Sequence, residues 1–203
     1  MTTAPRHRRP KHDPKESERE ILEAAEQFLS EHHFRELNVD EVMRRTGLKR
    51  PAFYVHFRDK NDLTLRLVQN ISKELFKISD RWLEGNNPKE DFHRALVDSV
   101  KVYVEHGRLL RAFVEAASGD ERVDAVYRGL IQEFITAAAQ HIRAEQQAGK
   151  IRKDVEVEET AKALIWLEER YLSEAFGYTT QVQSDVVIRV LENIWISTLY
   201  GAN

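Results

Sequence analysis

The chain's best-equipped stretch for chemistry is residues 42–60. It holds six cations (Arg44, Arg45, Lys49, Arg50, Arg58 and Lys60) against one acid, Asp59. Tyr54 and His56 stand among them. A guanidinium can bond both acceptors on a guanine edge, and an ammonium or a phenol hydroxyl can bond a phosphate oxygen. This is equipment for holding a nucleic acid, not for breaking bonds. No G-x-S-x-G, H-E-x-x-H or Gly-rich phosphate loop occurs. There is no Cys, which excludes a thiol nucleophile, a thiolate metal site and a disulfide framework. The pair His32–His33 is the nearest thing to a metal motif. Adjacent helical side chains point about 100° apart, and no acid or thiol stands ready as a third ligand, so the pair reads as a helix end on the surface. No catalytic residue, metal or cofactor is assigned, and an enzyme is not expected.

The net charge of −3 hides a strong asymmetry. Residues 1–15 carry five more cations against Asp13, whereas the chain from Thr64 onward has 18 basic and 22 acidic residues. One end is built to face phosphate and the remainder is acidic. Residues 1–15, interrupted by Pro5, Pro10 and Pro14, have nothing to form a core and read as a disordered basic tail. It is either an arm that touches DNA or a solubilising tail.

The elements that position the cationic cluster can be read from caps and spacing. Asn38 caps a short helix, and Glu41 completes a capping box. Val39, Val42 and Met43 give that helix an apolar stripe. Gly47 ends it, with a left-handed backbone expected there, and Leu48 plugs the turn. Pro51 lies in the opening turn of a second helix, where its missing N–H does no harm. Phe53 and Phe57, four apart, face inward together. Asp59 caps a third helix. Ahead of these, Ser17 and Glu20 form another capping box, opening a helix through Ile21, Leu22, Ala25, Phe28 and Leu29 to about Glu31. This is a helix-turn-helix, whose second helix is shaped to enter a major groove.

The segment GLKRPAFYVHFRDKNDL resembles the TetR family signature at Gly47, Leu48, Phe53, Tyr54, His56, Phe57, Lys60 and Leu63. Lys49 stands where the family usually has Ser, and Ala52 where it often has Thr, so a helix cap and a phosphate contact are missing. The resemblance implies phosphate contacts from Tyr54, His56 and Lys60. With Asn38, Lys49, Arg50, Pro51 and Ala52 they form the expected DNA-binding set, and Arg50 is the best base reader. The resemblance also implies a homodimer joined through its last two helices. Ile165, Leu172, Val187, Leu191 and Leu199 are candidates for that interface, with an intrasubunit core as the competing role. The segments ALIWLEERYLSEAFG and IWISTLYG are similar to the ethionamide-response repressor branch, which implies an apolar ligand channel. That branch carries amide side chains where this chain has Ile165 and Glu168.

The chain is expected to be all-α with about nine helices. The domains are a tail (1–15), a three-helix DNA-binding domain (16–63) and a helical ligand-binding and dimerisation domain (64–203). A long helix from Asp59 to about Trp82 links them. It is followed by helices at 88–107, 109–119, 121–148, 157–176 and 184–200, broken at Gly107 among others, with Gly129 left inside a helix as a kink or a close contact. Trp82, Tyr103, Phe113, Tyr127, Phe134, Trp166, Tyr171 and Trp195, with Glu168 as a polar anchor, either line a ligand site or fill a core. No run of about 18 apolar residues occurs, so no membrane span is expected. The function expected is a cytoplasmic repressor that binds a palindromic double-stranded DNA operator as a homodimer and is released by a hydrophobic small molecule. The alternative is a helical ligand-binding or adaptor protein that has lost specific DNA binding.

Overall fold

The computed structural model describes residues 13–83, 87–178 and 182–201. Most of the basic tail, residues 1–12, lies outside that range. Among the described residues there are eight α-helices and no strand: α1 Pro14–Glu31, α2 Val39–Arg45, α3 Phe53–His56, α4 Lys60–Leu83, α5 Pro88–Ala117, α6 Glu121–Gln147, α7 Val157–Gly177 and α8 Ser184–Tyr200. Short 3₁₀ turns at Phe34–Glu36 and Arg50–Ala52 precede α2 and α3.

The reading head consists of α1, α2, α3 and the start of α4. Ile21, Ala25, Leu29, Leu37, Val42, Phe53 and Leu63 interlock in its centre, each fully or almost fully buried. Two cap expectations resolve differently. Asn38 Oδ1 accepts the Glu41 N–H at 2.9 Å, as expected. The Glu41 carboxylate, however, pairs with Arg44 and Arg45. Helix α1 begins earlier than the Ser17 box implied. Asp13 caps it by accepting the Lys15 N–H at 3.0 Å, and Pro14 takes the first helical position. Ser17 is inside the helix and buried, with Oγ bonded to the Pro14 carbonyl. The turn after α2 is closed by Thr46, whose Oγ1 donates to the Met43 carbonyl and accepts the Leu48 N–H. Gly47 keeps a negative φ; among the described residues the glycines with positive φ are Gly149 and Gly201.

In the larger part, α5 runs unbroken through Gly107, so the two helices expected on either side of it are one. The glycine is there for contact. A Cβ at Gly107 would lie 2.6 Å from the Phe176 carbonyl oxygen. Close by, a Cβ at Gly177 would lie 2.9 Å from the Arg111 side chain. Helices α5 and α7 approach at these two points more closely than side chains allow. Gly129 has no such neighbour: a Cβ there meets nothing within 4 Å. Helix α4, with 24 residues, is about 36 Å long at 1.5 Å per residue and joins the reading head to the α5–α8 bundle.

Candidate nucleic-acid interface and ligand cavity

The recognition segment is a 3₁₀ turn feeding a one-turn α-helix. Phe53 and Phe57 anchor it inward with ring centroids 5.4 Å apart. Lys49 precedes the turn and makes no side-chain cap, in keeping with the absent Ser. Lys49, Arg50, Pro51 and Tyr54 are exposed and Ala52 is half-buried. Arg50 is held by neighbours: Nη1 donates to both Asp40 carboxylate oxygens at 2.5 Å, and Nη2 donates to the Tyr54 hydroxyl at 3.1 Å. These bonds, Tyr54's first and then Asp40's with its charge, raise the guanidinium pKa further. Arg50 therefore reaches a base only by exchanging Asp40 for it.

Two of the expected phosphate contacts, Lys60 and His56, are engaged within the protein. The Lys60 ammonium turns inward, donating to the carbonyls of Leu37 at 3.0 Å and Phe34 at 3.3 Å and lying 4.4 Å from the centre of the Phe34 ring. Burial lowers its pKa. The start of α4 is also not an open anion site. Asp59 Oδ1 accepts the Asp62 N–H at 2.9 Å, and Asp62 accepts the Arg58 N–H at 3.0 Å. Both carboxyls are held below their usual range: burial works against this, and bonds from Arg122 and Asp62 N–H at Asp59, and from Arg58 at Asp62, outweigh it. His56 Nε2 shares a hydrogen bond with Ser17 Oγ at 2.9 Å, which ties α3 to α1. Asn38 spends its side chain on capping.

Sequence reading missed Val55. It is 74% exposed, the most open large apolar residue described, and sits in the middle of α3. A valine there contributes nothing to a core but can meet a thymine methyl. The signal was available: Phe53 and Phe57 point inward, so the residue midway between them points out.

Polar contacts clasp the reading head to the bundle. Arg122 on α6 donates to Asp59 at 2.8 Å and to Asp120 at 2.7 Å, and Asn61 donates to Asp120 at 2.8 Å. Phe34 N–H donates to Glu115 at 3.2 Å, and Arg108 to the Ser30 carbonyl at 2.6 Å.

A cavity of about 100 Å³ lies between α4, α5, α6, α7 and α8. Of the nine residues expected at a ligand site, Trp82, Tyr103, Phe134, Glu168 and Trp195 line it, joined by Phe92 and Glu169. The other four expected residues do not. Phe113, Tyr127 and Trp166 form an edge-to-face chain, with centroids 5.8 and 5.9 Å apart, and Tyr171 is 38% exposed on the outer side of α7. Burial pushes the Glu168 carboxyl up to about 7, with a small opposing pull from the Trp195 indole, whose N–H nonetheless makes no hydrogen bond of good geometry. Glu169 Oε1 accepts the Ser173 hydroxyl at 2.9 Å, whereas its buried Oε2 has no protein partner. Burial, followed by Glu169, raises the pKa of both Tyr103 and Tyr127. Arg170 faces away and pairs with Glu174 at 2.6 Å.

The residues expected at a dimer interface are mostly core. Leu172, Val187, Leu191 and Leu199 are each about 1% exposed or less within one protomer, and Ile165 and Leu172 help line the cavity. Ile165 is half-buried and keeps some exposed area. The apolar residues left outside on α7 and α8 are Leu167, Tyr171 and Val190.

Comparison with known proteins settles the family. Residues 21–67 match the family described as "Bacterial regulatory proteins, tetR family", and residues 92–201 match "Transcriptional regulator EthR, C-terminal domain". The chain belongs to the TetR family, with an EthR-type C-terminal domain. It is 28% identical over 207 residues to the HTH-type transcriptional regulator EthR of Mycolicibacterium smegmatis, covering 99% of this chain and 94% of that one. Among solved structures, the Pseudomonas aeruginosa repressor NalD superposes with a TM-score of 0.73 at 16% identity, covering 93% of this chain and 98% of that one. A Saccharomonospora viridis regulator in complex with choline gives 0.72 at 16% identity, covering 91% and 98%. These two likenesses are of fold. The chain is a DNA-binding transcriptional regulator. No helix among the described residues is long and apolar enough to cross a membrane.

Proposed function

We propose that this regulator is a repressor that binds a palindromic operator as a homodimer and lets go when a largely apolar small molecule enters the α4–α8 cavity. The observation that carries the reading is the course of α4. Its first turn is bonded into the reading head through Lys60, and its last turn puts Trp82 in the cavity wall. One rigid element therefore touches both sites. A cavity of about 100 Å³ is smaller than the roughly 300–1,000 Å³ of ordinary ligand sites. A ligand must part the helices to enter, and moving α4 at Trp82 tilts the head at its far end. Release follows only if the ligand binds the displaced state more tightly than the DNA-bound one.

Two reading heads are needed because one helix-turn-helix covers only a few base pairs. Half-sites one helical turn apart, about 34–36 Å, suit a two-fold pair. The outer faces of α7 and α8, with Leu167, Tyr171 and Val190, are the surface we assign to that pairing. Bacterial DNA is the partner, so the protein works in the cytoplasm. In the reading head, Arg50 and Lys49 read or hold bases while Tyr54 and His56 hold backbone. The S. viridis regulator shows that this fold can house a small molecule.

The test is selection from a random duplex library by the full chain. Enrichment of an inverted repeat with two half-sites supports the reading. Sequence-blind binding with a steep salt dependence would instead support a helical ligand-binding or adaptor protein, the reading favoured by the inward turn of Lys60 and the loss of a hydroxyl at Ala52.

A further inference from the structure

Glu168 and Glu169 bring two carboxyls to one cavity wall, and no Lys, Arg or His stands among the residues lining that cavity. Buried acids ordinarily keep a cation or several donors for company, because an uncompensated buried charge is expensive. Here the protein supplies little. Glu169 has the hydroxyls of Ser173 and Tyr127 for company, and its buried Oε2 still lacks a hydrogen bond of good geometry. The nearest cation along the helix, Arg170, is engaged by Glu174 outside. Across the cavity are aromatic rings. Trp82 and Trp195 lie edge-to-face with centroids 5.4 Å apart, and Phe92 lies 5.4 Å from the first and 5.0 Å from the second. The Trp82 indole N–H is buried without a protein partner, and that of Trp195 leans on Glu168 without a hydrogen bond of good geometry. Apolar walls, π-faces that attract cations and an unpaired carboxylate oxygen together describe a receptor that lacks its positive charge.

We propose that the cavity takes an amphipathic organic cation, with its ammonium against Glu168 and Glu169 and its apolar body among Trp82, Phe134 and Trp195. This rests on the reading of the cavity as the effector site. It narrows the effector from any hydrophobic molecule to an amine or quaternary ammonium on an aryl or alkyl skeleton. The two acids also explain why an apolar tunnel alone would be a poor match. A neutral ligand that displaced cavity water would leave both carboxyls unsolvated, whereas an ammonium supplies the donors that Glu169 Oε2 lacks.

The experiment compares 4-phenylbutylamine with 4-phenylbutan-1-ol, a neutral molecule of nearly the same shape, by titration calorimetry on the full chain at pH 8. The amine is expected to bind at least tenfold more tightly than the alcohol. In Glu168→Gln the preference should fall at least threefold, and in Glu168→Gln/Glu169→Gln the two compounds should bind within about twofold of each other. Equal binding of both compounds to the unaltered chain overturns the proposal, as does an amine preference that survives the double substitution. Should the double variant fail to fold, the unaltered chain and Glu168→Gln decide the matter. If both compounds bind equally and both release operator DNA, the cation proposal fails while the effector reading stands. If neither binds, both fail.

Discussion

Replacing Glu168 by Gln should stabilise the protein at alkaline pH and leave it unchanged in acid. Burial holds this carboxyl at about 7, against an ordinary value near 4.5. The native state therefore keeps a proton that the unfolded chain gives up between those two values. Stability is accordingly full below about pH 4.5 and declines as pH rises through 7, because over that window the unfolded state binds fewer protons. At about 1.36 kcal/mol per pH unit, the gap corresponds to about 3 kcal/mol. Glu168 keeps part of its surface exposed, and solvent screening reduces this to about 2 kcal/mol. Glutamine has nearly the same shape and no charge to desolvate, so it should recover that amount. Urea unfolding followed by circular dichroism at pH 4 and pH 8 would measure it. The expected result is a gain of about 2 kcal/mol at pH 8 and less than about 0.5 at pH 4. An equal effect at both values, or a loss at pH 8, would mean that Glu168 is not a buried, uncompensated acid.

Other substitutions test the remaining assignments. Arg50→Ala should cost about 1–3 kcal/mol at a selected operator and flatten base preference at one position, as read by fluorescence anisotropy on single-base operator variants. Lys60→Ala should destabilise the reading head by about 1–2 kcal/mol in thermal unfolding, since the Leu37 carbonyl loses its donor and the Phe34 carbonyl keeps only the Leu37 N–H. It should leave the salt slope of DNA binding unchanged; a slope reduced by about one would return Lys60 to the phosphate. Gly107→Ala forces a Cβ to within 2.6 Å of the Phe176 carbonyl and should cost about 1–3 kcal/mol in urea unfolding, whereas the same change at Gly129 should be neutral or stabilising.

What could be read from the chain depended on how far apart the interacting parts lie. The Asn38 cap, the inward Phe53–Phe57 pair and most helix ends follow from neighbours within a turn or two, and they stand where expected. Ser17 misled because two caps competed. Asp13 with Pro14 makes an equally good start, and it frees the Ser17 hydroxyl for His56. Gly107 looks like a stop in one dimension, and its actual neighbour, the Phe176 backbone, arrives from another helix. The inward turn of Lys60 is not legible because its partners are backbone carbonyls, which carry no sequence signature. An apolar stripe says that a face is covered but not by what, so Leu172, Val187, Leu191 and Leu199 could be assigned to a partner although their own protomer buries them. The aromatic set divided for the same reason. Trp82, Tyr103, Phe134 and Trp195 meet at the cavity, while Phe113, Tyr127 and Trp166 pack edge-to-face with one another.

The central claim is that one helix, α4, makes the cavity and the DNA-reading head a single device. Fluorescence anisotropy of a selected operator, titrated with the full chain in the presence and absence of saturating 4-phenylbutylamine, tests it directly. The account predicts that the amine weakens operator affinity at least tenfold, a coupling of about 1.4 kcal/mol. Calorimetry that finds the amine bound, with the DNA affinity unmoved, would contradict it.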